Sequence, residues 1–211
     1  MLLVQSVTKL LKMIKYFLIL ILFPLVGCTS IHRSVDNSNF EITKTLIEKG
    51  VDVNSRDRYG RTPLMLSVSN MKIVQYLVKH GADVGTHDNN GETPLMKASF
   101  LGEVKVMRFL VERGASPNSK SLRGETALMF ATDNLEAVQY LVSLGVDVNA
   151  TNRNGESVLK YAAVNGKLPI VQYLVIKGAN PSIIDNNGKS PADWAKHFRH
   201  KKVAKYLKEL K

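Results

Sequence analysis

Asp88-Asn89-Asn90-Gly91-Glu92-Thr93-Pro94-Leu95-Met96 is the stretch from which the fold is read. Asp-Asn-Asn-Gly is a turn former. Thr93 can cap a helix through its hydroxyl, and Pro94 suits the first helical turn, where a missing N–H costs nothing. A turn that runs directly into a capped helix is thus encoded. The order recurs upstream as Gly60-Arg61-Thr62-Pro63-Leu64, where Thr62 and Pro63 take the same roles. Downstream it recurs as Gly124-Glu125-Thr126-Ala127-Leu128, Gly155-Glu156-Ser157-Val158-Leu159 and Gly188-Lys189-Ser190-Pro191-Ala192.

A second motif follows each of the first in phase. Val74-Gln75-Tyr76-Leu77 returns as Val138-Gln139-Tyr140-Leu141 and Val171-Gln172-Tyr173-Leu174. It reads as a second helix, ended by Gly50, Gly81, Gly114, Gly145 or Gly178, the residue type that closes helices in a left-handed backbone. Between the motif glycines the spacings are 31, 33, 31 and 33. The short units lack the residues that stand as Gly102-Glu103 and Gly166-Lys167 in the long ones, so a 64-residue pair occurs twice, over 60–123 and 124–187. Duplication of a two-repeat block explains this. A tighter helix–helix turn is expected in the short units, and with it an uneven back of the solenoid.

On these residues the chain resembles the ankyrin repeat over roughly residues 39–211. The resemblance implies a mainly α solenoid, with a helix, a turn, a second helix and a β-hairpin loop per unit and about five to six repeats counting caps. The units are a partial N-terminal cap at 39–59, repeats at 60–90, 91–123, 124–154 and 155–187, and a C-terminal cap at 188–211. The family's usual Thr-Pro-Leu-His departs here to Met65, Met96, Met129, Lys160 and Asp193 at the histidine position. Some polar bonding between repeats should be lost, with Met filling the space.

The N-terminus reads as an address. Tyr16 to Val26 is an apolar run of signal-peptide length, preceded by lysines and followed by Leu25-Val26-Gly27-Cys28. This resembles the bacterial lipobox. The resemblance implies a cleaved signal over residues 1–27, with Met13 a more usual start than Met1, and lipidation of Cys28. Several acyl chains anchor durably where one does not. Residues 28–38 would be the lipidated cysteine and a polar linker. Thr29 rather than Asp after the cysteine implies, by the family's sorting rule, the outer membrane facing the periplasm. Cys28 is the sole cysteine, so no disulfide within the chain is possible.

Charge is confined to the ends. The formal net charge is +11, but residues 196–211 carry seven basic side chains against Glu209. Residues 1–27 add Lys9, Lys12 and Lys15 with no acid, which leaves the body close to neutral. A nucleic-acid binder would show a basic stripe along its working face, so no nucleic acid is expected. A terminal repeat needs a polar outer face, which accounts for the basic tail. An acidic partner or anionic lipid is the alternative.

No nucleophile elbow, phosphate loop or His-Glu-x-x-His is present, and neither catalysis nor a cofactor is expected. Asp193, His197 and His200 fall on one helical face and are the one metal-ligand pattern; a solvated cap surface is the plainer reading, and no metal is expected. Tyr76, Tyr140 and Tyr173 recur in core register, which favours repeat packing over a stacking ladder.

The resemblance implies a protein partner on the concave side, built of hairpin tips and first helices. The residues there are Arg58, Tyr59 and Arg61; Asn89, Asn90 and Glu92; Leu122, Arg123 and Glu125; Arg153, Asn154 and Glu156; and, from the helices, Phe100, Leu101 and Asp133. Phe100 and Leu101 are either partner contacts or cover for the neighbouring unit. The expected role is a membrane-tethered scaffold or accessory factor of the cell envelope, monomeric apart from its partner. The alternative is an immunity protein against a periplasmic toxin.

Overall fold

A computed structural model describes residues 30–210. The expected signal, the lipobox and Cys28 lie outside the described residues. Twelve helices are found within them. They are α1 (Ile31–Asp36), α2 (Phe40–Glu48), α3 (Pro63–Leu66), α4 (Met71–Lys79), α5 (Pro94–Leu101), α6 (Val104–Glu112), α7 (Ala127–Phe130), α8 (Leu135–Ser143), α9 (Val158–Val164), α10 (Leu168–Ile176), α11 (Pro191–His197) and α12 (Lys201–Glu209). They form six pairs, in which first helices pack on neighbouring first helices and second on second. The core is a file of buried side chains such as Leu64, Leu95, Leu128 and Leu159 from first helices and Leu77, Leu110, Leu141, Leu174 and Leu207 from second helices.

The first pair corrects the expected linker over 28–38 and the partial cap at 39–59. Residues 31–36 are helical, and the first repeat therefore has both helices. The Ser30 hydroxyl caps α1 by accepting from the Arg33 N–H. Ile31 and Val35, four apart and so on one face, are both buried. Ser34 and Thr43 bond across the pair at 3.0 Å, and α1 packs on α3 as every other first helix packs on the next. Two apolar residues in six suffice because the α3 surface is already there to receive them.

The short units also differ from expectation. Every second helix, α2 included, has nine residues, so the back is uniform. The shortening falls on the first helices. Helices α3 and α7 have four residues each, against eight in α5 and seven in α9. The two missing residues come from the end of the first helix and its turn. Asn70 and Asn134 close the gap by capping α4 and α8 directly.

Polar bonding at the histidine position is lost unevenly. Met65, Met96 and Met129 are buried. The Thr93 hydroxyl caps α5 as expected, accepting from the Met96 N–H at 3.3 Å. Thr62 does not cap α3, and its hydroxyl is buried without a partner, as is that of Ser157. In the last unit Asp193 restores the bonding, accepting from the Ser190 N–H at 3.0 Å. The β-hairpin of each unit is reduced to a turn, with isolated bridges at Lys120–Thr126 and Thr151–Ser157. Tyr140 is buried and Tyr76 and Tyr173 half-buried on the second helices, as repeat packing predicts.

Candidate partner-binding face

The tips are built by one device used five times. At each tip a short side chain accepts from the N–H two and four residues ahead. Asp57 Oδ1 takes Tyr59 and Arg61, both at 2.9 Å. Asp88 takes Asn90 and Glu92 at 2.9 and 3.0 Å. Ser121 takes Arg123 and Glu125 at 3.2 and 3.1 Å. Asn152 takes Asn154 and Glu156 at 2.8 and 3.0 Å. Asp185 does the same with Asn187 and Lys189, at 2.9 and 3.0 Å. The tips are then chained together by the bonds Asn89 N–H to Tyr59 O, Leu122 N–H to Asn90 O, Arg153 N–H to Arg123 O and Asn186 N–H to Asn154 O, at 2.8–3.0 Å. Every tip residue expected to meet a partner therefore hangs on one rigid backbone ladder.

A profile described as Ankyrin repeats (3 copies) matches residues 4–88, 31–121, 70–152 and 128–211. The chain belongs to the ankyrin-repeat family. No curated protein matches the sequence. Ankyrin repeats form protein–protein interaction modules, and the face made of tips and first helices is the concave side of such a solenoid.

On this ankyrin face the expected residues divide into held and free. Arg61 is held by Asp57 through two contacts at 2.8 Å. Asp57 is partly buried, which alone would raise its pKa, but the N–H groups and guanidinium of Arg61 and the N–H of Tyr59 hold it below the ordinary value. Glu92 pairs with Lys97, which also meets Asp88 at 2.9 Å. Burial opposes the charge on Lys97, yet those two carboxylates raise its pKa. Asn89 is tied to the Arg58 carbonyl, and Asp133 to Lys167 at 3.2 Å. Arg58 lies over the Tyr59 ring at 4.6 Å.

The free group is mainly apolar. Phe100 is 64% exposed, Leu101 52% and Leu122 57%, and Arg123, Arg153 and Asn154 at the tips are exposed as well. The exposure of Phe100 and Leu101 follows from the unit lengths. They form the last turn of α5, and neither neighbouring first helix, α3 or α7, is long enough to cover that turn. The equivalent Val164 and Asn165 of the other long unit are half-buried, because the next unit packs there. His200 bonds the Val164 carbonyl at 2.8 Å.

A polar network on the first helices was missed by sequence reasoning. The Tyr161 hydroxyl lies 3.1 Å from both Glu125 Oε1 and Glu156 Oε2 and accepts from the Asn152 amide at 3.0 Å. Burial, then the two carboxylates, push its pKa up. Glu156 also accepts from Lys160 at 2.8 Å, and its pKa falls although burial alone would raise it. The Lys160 ammonium stands 5.0 Å from the Trp194 ring centre, and the Trp194 indole donates to Asp185 at 2.7 Å. Three repeats are thus cross-linked, and Glu125 and Glu156 are largely occupied within the protein. The available signal was the position after the family histidine, where Lys97, Phe130, Tyr161 and Trp194 follow one another.

The suspected metal pattern does not assemble. Asp193 bonds Ser190, His200 bonds the Val164 carbonyl, and the His197 ring stands edge-on to Trp194 and Phe198. No group of three His, Cys, Asp or Glu is placed for a metal ion among the described residues. Nor is any described helix long and apolar enough to cross a membrane.

Proposed function

We propose that this ankyrin protein is a binding module of the bacterial cell envelope. An acylated Cys28 tethers it to a membrane, and it holds an envelope protein on its tip face as a scaffold or accessory factor. The observation that carries the binding surface is the uncovered Phe100–Leu101 turn, with Leu122 and Arg123 exposed at the tip of the next repeat. Aromatic and arginine side chains dominate the energetics of protein interfaces, and this group stands in the middle of the solenoid, where flanking repeats shield its edges.

The tether is supported by Leu25-Val26-Gly27-Cys28 following an apolar run. With α1 beginning at Ile31, only Thr29 and Ser30 separate that cysteine from the first repeat. At about 3.3 Å per residue, an acylated Cys28 would hold the solenoid against the headgroups rather than at the end of a long leash. Thr29 supports delivery to the outer membrane, facing the periplasm.

Two measurements test this reading. Cells fed a fatty-acid analogue should label the wild-type chain and not Cys28→Ser; equal labelling removes the tether. A photo-crosslinking amino acid at Phe100 or Leu122 should give the same membrane-protein adduct, whereas one at Gln75, exposed on the second-helix side, should not. The same adduct from all three positions removes the tip face.

A further inference from the structure

The C-terminal repeat carries a charge pattern that capping does not require. A terminal face needs polarity, and mixed charges would supply it with favourable pairs along the helix. Instead Lys196, Arg199, Lys201, Lys205 and Lys208 line one open groove at α11 and α12. Its one acid, Glu209, approaches Lys205 at 3.9 Å with both side chains exposed, a weak contact in water. Lys205 lies four residues after Lys201 and three before Lys208, so like charges are stacked on one helical face, which opposes helix formation.

A second observation comes from the backbone. The turn between first and second helices is left-handed in both long units, with Gly102 at φ 69 and Gly166 at φ 66. The last unit makes the same turn with Arg199 at φ 63. Glycine takes this conformation freely and a side chain strains it, and such strain gathers at functional positions. Here the strained residue is an arginine that lines the groove. Nearby, Phe198 and Leu210 are exposed although the solenoid does not need them outside.

We propose that this groove docks on an anionic bilayer, with the lysines and Arg199 meeting headgroup phosphates while Phe198 and Leu210 enter the interfacial layer. Basic side chains beside exposed aromatic and aliphatic ones are the composition of interfacial surfaces, whereas the phosphate backbone of a nucleic-acid duplex asks for the charges alone. Each basic group near an anionic surface strengthens association about five-fold. The proposal rests on the tethered reading in one respect: the anchor keeps the bilayer within reach. Held at its first repeat by lipid and at its last by charge, the solenoid lies along the membrane.

Trp194 is the sole tryptophan and stacks on Phe198, so its emission reports on the C-terminal repeat. The full chain, recovered from the membranes of cells that make it, is reconstituted into vesicles of phosphatidylcholine or of that lipid mixed with phosphatidylglycerol. Each vesicle carries a dansyl-headgroup acceptor. Energy transfer from Trp194 should be high in the anionic vesicles, fall as salt rises, and be low in neutral ones. Lys201→Glu with Lys205→Glu should abolish it. Arg199→Gly should weaken it while raising the melting temperature, since strain is released. Flotation with neutral vesicles reads the anchor separately. If the chain does not float with them, the tether fails, and the groove is still decided by whether anionic vesicles float the wild type and not the charge-reversed chain. Equal transfer in both lipids, or transfer unchanged by charge reversal, overturns the proposal. So does a Trp194 response to a short RNA duplex with none to anionic vesicles.

Discussion

The backbone N–H of Leu122 donates to the carbonyl oxygen of Asn90 at 2.8 Å, joining the tip of one repeat to the tip before it. That approach is possible because the residue beside Asn90 is Gly91, at φ 74. A Cβ there would fall 2.6 Å from the Leu122 nitrogen, which is backbone and cannot swing away. Gly114, at φ 95 at the end of α6, has nothing within 4 Å of the same atom.

Gly91→Ala should therefore cost more stability than Gly114→Ala. The second change incurs left-handed strain alone, about 1–2 kcal/mol. The first adds a backbone collision and the loss of a ladder bond, another 1 kcal/mol or so. Urea denaturation of both variants checks this. Equal midpoints would mean that the tips are not locked to each other.

Phe100→Ala should leave folding nearly untouched, within about 0.5 kcal/mol, because an exposed side chain gives up little contact. Leu95→Ala, on the same helix but fully buried, should cost about 2–5 kcal/mol. Comparable losses from the two would show that Phe100 covers its neighbour after all.

Acid should destabilise the tips. Asp185 is nearly buried, which alone would raise its pKa, but the Lys189 N–H, the Trp194 indole and the Asn187 N–H outweigh that and hold it low. Asp57 and Glu156 are held low by their own partners. A carboxylate with a depressed folded pKa contributes stability that is present above its unfolded value, about 4, and is lost as pH falls towards the folded one. The urea midpoint should hold from neutral pH to about pH 5 and then fall below about pH 4. Asp185→Asn should start lower at neutral pH and fall less in acid. Parallel acid branches for the two proteins would show that Asp185 contributes nothing to the linkage.

The legible parts of the fold were those set by residues with special backbone demands. Gly91, Pro94 and the Asp88 turn recur at fixed spacing, and the tip ladder they build lies where the spacing predicts. Helix α1 was not legible, because in Ile31-His32-Arg33-Ser34-Val35-Asp36 only two apolar residues mark the buried face. The Tyr161 network was hidden for a different reason. Glu125 and Tyr161 are 36 residues apart, and no local pattern announces a contact made only when repeats stack. Phe100 lies between these cases. The unit lengths were plain from the glycine spacing, but its exposure depends on which helix gives up the two residues, and the back was expected to be uneven where the first helices α3 and α7 are instead cut short.

The most direct test of the central claim is affinity for the membrane protein that crosslinks at Phe100, measured at low and high salt. It compares wild type, Phe100→Ala with Arg123→Ala, and a chain with Lys201, Lys202 and Lys205 neutralised. An apolar anchor should lose roughly 2 kcal/mol or more in the double variant and little with salt, since exposed charges alone are screened over about 8–10 Å; the tail variant should bind that protein as wild type does. A double variant that binds normally, beside a tail variant that does not, would contradict it.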